Sequence, residues 1–144
     1  MDLRSTEDIS TLIREITWHF GARGLKGECC GNLSHPEYRA LCMVSEKSKC
    51  SMQMLAKSLG FTMSGASRVI DRLEKKGYAK RKRIPEDGRV CCIEITNPGE
   101  TVIKGLNQEN ENHINKIMSK IDPAMQEIIG TALRSFVQGI KQND

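Results

Sequence analysis

The stretch Ser51–Tyr78, SMQMLAKSLGFTMSGASRVIDRLEKKGY, decides the fold. Ser51 stands where an N-cap hydroxyl would satisfy the first amides of a short helix, and Met54, Leu55 and Leu59 recur on one face of it. Gly60 supplies the stop. Thr62 is a second N-cap, and Ala66, Val69, Ile70 and Leu73 repeat at helical spacing as far as Gly77. Two short helices separated by Gly60-Phe61-Thr62 predict a helix-turn-helix, with the second as candidate recognition helix.

Downstream the period changes from helical to alternating. Tyr78 to Ile84 and Val90 to Ile95 read as strands, joined by the turn Pro85-Glu86-Asp87-Gly88. A helix-turn-helix followed by a basic hairpin predicts a winged helix. Thr96-Asn97-Pro98-Gly99 then opens a long helix, where Ile103, Leu106, Asn110, Ile114, Ile117 and Ile121 form a coiled-coil-like seam. Asp122-Pro123 starts a last helix with Met125, Ile128, Ile129, Leu133, Phe136 and Ile140 on one side.

Upstream, Ile9, Leu12, Ile13, Ile16 and Phe20 mark an amphipathic helix over residues 6–20. Gly21, Gly24, Gly27 and Gly31 then predict a loop that also carries Cys29 and Cys30. Ser34-His35-Pro36-Glu37 has the pattern of a capping box and starts a helix running to about Lys47, with Leu41, Met43 and Val44 on it. The expected fold class is mostly α with a small β wing. Residues 1–32 form an N-terminal dimerisation helix and loop, 33–96 the winged helix-turn-helix, and 97–144 the C-terminal dimerisation helices. The terminal helices carry more apolar surface than the central module can cover, so a two-fold homodimer is expected. Its two recognition helices would lie about one duplex turn apart, matching a palindromic operator.

The 144 residues suit one domain, and 38% apolar with 28% charged residues is a globular composition. No run approaches a membrane span, and Met1-Asp2-Leu3-Arg4 lacks the apolar core of a signal peptide. The chain is therefore expected in the cytoplasm, its six cysteines as thiols. The net charge of +4 is unevenly placed: residues 68–89 carry nine basic and four acidic groups, leaving the remainder at −1. A basic patch on a near-neutral body is the footprint of a phosphate-binding surface, although a solvated face would look the same in charge alone.

Leu55-Ala56-Lys57-Ser58-Leu59-Gly60 is followed by Ser67-Arg68-Val69-Ile70-Asp71-Arg72-Leu73-Glu74-Lys75-Lys76-Gly77-Tyr78. Asp87-Gly88-Arg89-Val90 and Ile95-Thr96-Asn97-Pro98-Gly99 come next, in order. This ordered set, over about residues 33–100, resembles a MarR-type transcriptional regulator. The resemblance implies a dimeric repressor, less often an activator, released from DNA by a small molecule or by thiol oxidation. One departure stands in the wing, where the family's Asp-Arg-Arg reads Asp87-Gly88-Arg89. One wing contact is thereby expected to be missing, while Arg89 is placed to pair with Asp87 and reach toward a minor groove.

Met63, Ser64, Gly65, Ser67, Arg68 and Arg72 face away from the apolar stripe of the recognition helix. Arg68 suits bidentate guanine readout; a phosphate clamp or an ion pair with Asp71 is the alternative. Lys80 to Arg83 alternate along a strand, so about half can face a duplex, and Arg81 and Arg83 are taken as contacts. Gln53 and Lys57 on the preceding helix are phosphate candidates.

No C-x-x-C occurs, so neither a zinc ribbon nor a thioredoxin-type centre is supported, and no metal or cofactor is expected. Cys29 and Cys30 are the candidate thiol sensors, set against thiols merely tolerated in a reducing compartment. Strand alternation turns Cys91 inward and Cys92 outward, Cys42 reads as a small core residue, and Cys50 lies in a turn. Trp18 and Phe20 either line an effector pocket or simply pack. Glu109 and His113 have a spacing that can share a metal, but a solvated helix face is the simpler reading. The reading that follows is a sequence-specific regulator of double-stranded DNA, not an enzyme. Its rivals are a small thiol oxidoreductase and a winged-helix protein-interaction module without specific DNA binding.

Overall fold

The computed structural model describes residues 3–21 and 28–143. Among them the chain runs α1 (Leu3–Phe20), β1 (Glu28–Cys30), β2 (Leu33–Ser34), α2 (His35–Glu46), α3 (Met52–Leu59) and α4 (Met63–Lys75). The wing strands β3 (Ala79–Arg83) and β4 (Val90–Ile95) follow, then α5 (Asn97–Met118) and α6 (Pro123–Gln142). Two compact units meet inside α5, one ending at Leu106 and the other beginning at Asn107.

The caps fall where the hydroxyl residues predict. Ser34 Oγ accepts from the Glu37 amide while the Glu37 carboxylate accepts from the Ser34 amide, closing the capping box. Ser51 Oγ accepts from Met54 N and Thr62 Oγ1 from Gly65 N. Gly60 ends α3 in the left-handed conformation, φ 66°, which costs a glycine nothing.

Leu33, Leu41, Val44, Leu55, Val69, Ile70, Leu73, Ile93 and Ile103 form the buried core of the first unit. All four apolar positions expected on α4 are buried. On α3 one position needs correction: Leu55 is buried and Leu59, partly covered, packs against the core as expected, whereas Met54 is exposed. The inner stripe of the helix is Met52, Leu55, Ala56 and Leu59, at helical spacing.

β3 and β4 pair antiparallel, with Arg81 opposite Ile93 and Lys80 opposite Glu94. Cys50 adds a single bridge to the hairpin, its carbonyl accepting from Ile93 N at 2.8 Å. A bulge sets Lys82 against Cys92 but Arg83 against Val90, making Cys91 the extra residue. Cys92, expected to face solvent, shares the face of Lys82 and Glu94 but is buried. A bulge bends and twists its strand, so simple alternation does not set exposure there.

Cys29 and Cys30 also depart from expectation, since their backbone lies in β1 and pairs with β2, Cys30 opposite Leu33. Gly31, at φ 61°, makes the tight turn that returns the chain. The side chains of Cys29, Cys30 and Cys91 lie outside the described residues, and with them the proposed thiol sensor.

The terminal helices contrast with this core. On α1, Ile9, Leu12, Ile13, Ile16 and Phe20 are exposed. In the second unit α6 buries no residue, and Met125, Ile128, Leu133, Phe136, Val137 and Ile140 are all exposed.

Candidate nucleic-acid interface

α4 is strongly amphipathic, so burying Ala66, Val69, Ile70 and Leu73 fixes which residues it presents. Met63, Ser64 and Arg68 are exposed along its N-terminal half, and Gly65 is partly covered. Ser64 Oγ lies 3.2 Å from Thr62 Oγ1 at the cap, where the helix dipole favours an anion. Asp71, the acid within reach of Arg68, is held by Arg81 at 2.9 Å. Among the described residues Asp71 pairs with Arg81 and not with Arg68.

Arg81 itself differs from the expectation of a surface contact. Its side chain is 18% exposed and its guanidinium bonds to Ser67 Oγ, Asp71 and Glu74. Its neighbours Lys80 and Lys82 take the other face of β3, both pairing with Glu94, at 3.7 and 3.1 Å. Strand alternation therefore holds, but it hands the arginine to the protein and the lysines to solvent.

At the wing tip Asp87 accepts from Arg89 three times: from its amide at 3.0 Å, Nε at 2.8 Å and Nη2 at 2.7 Å. The Arg89 side-chain and backbone bonds hold the Asp87 carboxyl below the usual aspartate range. Arg89 is 81% exposed, so the pair aims a charged group into solvent while fixing its direction. Arg83 Nη1 donates to Gly88 O at 2.9 Å and braces the same turn. Gly88 has φ 70°, a conformation an arginine at that position would adopt only with strain.

Arg72 is half-exposed, with its Nε on Glu37 Oε1 at 2.8 Å. Glu37 is the residue that sequence reasoning missed, having been assigned only its cap. It is buried, and it takes Lys76 Nζ at 2.5 Å as well as Arg72. Burial alone would raise its pKa, but the Lys76 and Arg72 hydrogen bonds, the Lys76 charge and the Ser34 amide hold it below the glutamate range. Arg72 and Lys76 stand four apart in the sequence, but nothing in that spacing points to Glu37. Gln53 and Lys57 are exposed on α3.

Trp18 is 74% exposed and borders a shallow groove with Ile13, Arg14, Thr17 and Gly21. Phe20 lines a second, with Ile16, Thr17 and His35. Among the described residues no group of His, Cys, Asp and Glu is arranged to hold a metal ion. Burial pushes the Cys50 thiol pKa up against the opposing charge of Lys47, which leaves it a poor nucleophile. No helix among the described residues is long and apolar enough to cross a membrane.

Comparison with known proteins places this geometry. Residues 33–91 match the MarR family. The transcriptional regulator PapX of Escherichia coli is 31% identical over 126 residues, 84% of this chain and 72% of PapX. Two Bacillus subtilis regulators match over somewhat under two thirds of their own length. A MarR family protein from Bacillus stearothermophilus superposes with a TM-score of 0.82 at 19% identity, covering 98% of this chain and 99% of that one. FabT of Streptococcus pneumoniae, solved in complex with DNA, gives 0.76 at 18% identity, covering 98% of each chain. With its helix-turn-helix, basic wing and flanking helices, the chain belongs to the MarR family of transcriptional regulators, whose members are not enzymes.

Proposed function

We propose that this protein is a repressor that binds a palindromic operator in double-stranded DNA as a homodimer. The observation that carries the reading is the joint exposure of Arg68 on α4 and Arg89 at the tip of the wing. A helix in the major groove and an arginine in the adjacent minor groove is how a winged helix reads duplex DNA. Arg68 reads a base edge there. Met63 meets a thymine methyl, and Ser64, Gly65 and Ser67 line the approach. Gln53, Lys57, Arg72 and Arg83 contribute through phosphate. The FabT complex with DNA supports the same reading for a shared fold.

The uncovered apolar residues of α1 and α6 support the second copy, since a soluble chain rarely leaves such faces bare. Release is assigned to a small molecule or thiol-reactive effector, with Trp18, Cys29 and Cys30 as the residues to examine. The cytoplasm follows from the DNA-binding role.

The test is fluorescence anisotropy on the duplex upstream of the protein's own gene against a scrambled duplex of equal length. Arg68→Ala is expected to weaken the first by about 10- to 100-fold, the worth of a bidentate base contact, and the second far less. Equal losses on both would reduce Arg68 to a phosphate contact. Repeating the titration with a dithiol-bridging reagent asks whether the thiols control binding.

A further inference from the structure

We infer that Arg81 is a positioning residue that locks the wing to the recognition helix and so sets the distance between the two DNA-reading elements. The inference rests on the DNA-binding function proposed above. Its basis is the spacing of the partners. Ser67, Asp71 and Glu74 stand at i, i+4 and i+7, a single stripe along two turns of α4. One guanidinium spans that stripe. Nη1 bonds to Glu74 Oε1 at 2.5 Å, and Nη2 to Ser67 Oγ and Asp71 Oδ1, both at 2.9 Å, and to the Ser67 carbonyl at 3.2 Å. Only a planar fork with several fixed donors can serve all of these at once; a lysine ammonium cannot.

The placement gives this contact leverage. Arg81 lies on β3, and Asp87 and Arg89 lie at the tip of the same hairpin. Arg89 lies across from Ile84, three residues of chain beyond Arg81 or roughly 10 Å, so a tilt of about 20° at Arg81 moves it by about 3.5 Å. That displacement exceeds hydrogen-bond tolerance, so an unlocked wing would leave Arg89 searching for its groove while α4 stays docked. The contact also neutralises two acids, Asp71 and Glu74, on the helix that meets a polyanion.

The experiment uses the full chain and a duplex selected by the wild-type protein from a random pool, with a scrambled duplex as control. Arg81→Ala is expected to lose about tenfold or more on the selected duplex. In an Arg89→Ala background the same change should cost little further, because the wing it places no longer carries its contact. Arg81→Lys should recover only part of the loss. Glu74→Ala gives the opposite sign from simple electrostatics, weakening the selected duplex although it removes a negative charge. Independent losses at Arg81 and Arg89 that multiply, or tighter binding by Glu74→Ala, would overturn the inference and make Arg81 an ordinary contact. Should Arg81→Ala fail to fold, the Glu74→Ala result decides alone. Amide exchange in the free protein separates this inference from the functional reading. Faster exchange across residues 79–95 in Arg81→Ala supports the lock even if no duplex is selected, and unchanged exchange there removes it.

Discussion

Lys76, the C-cap of α4, donates its Nζ to Glu37 Oε2 at 2.5 Å, joining residues 39 positions apart in the chain. The same Nζ reaches the Asn32 carbonyl, and Glu37 also holds Arg72. One carboxylate, 3% exposed, thereby fastens the first turn of α2 to the recognition helix, and Lys76 adds the β1–β2 turn. Replacing Glu37 with Gln leaves two cations facing a neutral amide in a largely dry site. Loss of one partner of a buried pair is costly, here moderated because Arg72 and Lys76 both retain access to water. Urea unfolding at pH 7 should show a loss of about 2–3 kcal/mol. A change below about 0.5 kcal/mol would place the cluster with ordinary surface pairs.

The same carboxylate predicts the acid limb of stability. Its pKa is lower folded than unfolded, so its contribution is complete above the ordinary glutamate value of about 4.3 and shrinks as pH falls through the folded value. Between pH 7 and 5 the wild type and Glu37→Gln should differ by a constant amount. Below about pH 4.3 the two unfolding curves should converge. Curves that stay parallel down to pH 3 would mean that Glu37 does not carry its charge into the folded state.

At the wing tip the expected effect is on binding, not stability. Asp87 is exposed, and Asp87→Asn should leave the melting temperature within about 2 °C of wild type. It should nevertheless weaken binding to the selected duplex several-fold, although a negative charge beside DNA has been removed, because Arg89 loses the partner that aims it. Anisotropy at two salt concentrations checks the sign. Tighter binding would show that Arg89 finds its groove unaided.

How much of this was legible beforehand differs by the range of the interaction. The helix-turn-helix and its caps were readable because Ser51, Thr62 and Gly60 act on amides within four residues of themselves. The α4 stripe was readable because burial on one face imposes a period. Glu37 shows where that reasoning stops. Its capping role is local and was seen, whereas its pairing with Arg72 and Lys76 depends on how α2 crosses α4, which no spacing reveals. Arg81 illustrates the same limit: alternation showed that half of Lys80–Arg83 would face one way, but not which half the protein would keep. Cys92 was misjudged because a bulge leaves little trace in the sequence of its strand.

Gly99 gives a prediction about packing. A Cβ built there would run into the Tyr78 carbonyl oxygen and stand 2.9 Å from Ile95 Cγ1. That carbonyl already accepts from Thr96 N at 3.0 Å, so it is fixed by the strand it ends. Gly99→Ala must therefore push the start of α5 off the hairpin. Overpacking of this kind costs about 1–3 kcal/mol, to be read from the urea midpoint with an unchanged slope. A neutral result would show that the first turn of α5 can shift without cost.

The thiols offer a last prediction. Cys50 is fully buried, bonded through its backbone to Ile93, and its pKa is pushed up by burial. Cys92 is buried on the opposite face of β4 from Ile93. Alkylation of either requires the wing to open, because the reagent needs both access and a thiolate. With iodoacetamide at pH 8, both should react at least about a hundredfold more slowly in the native protein than in urea, as followed by peptide mass spectrometry. Cys42, partly covered on α2, should fall between the protected and unfolded rates. Fast native labelling of Cys50 would mean that the hairpin detaches readily from the core, making the lock by Arg81 the main restraint on the wing. Slow labelling would exclude Cys50 as a rapid sensor and leave any thiol-based release to residues nearer the surface.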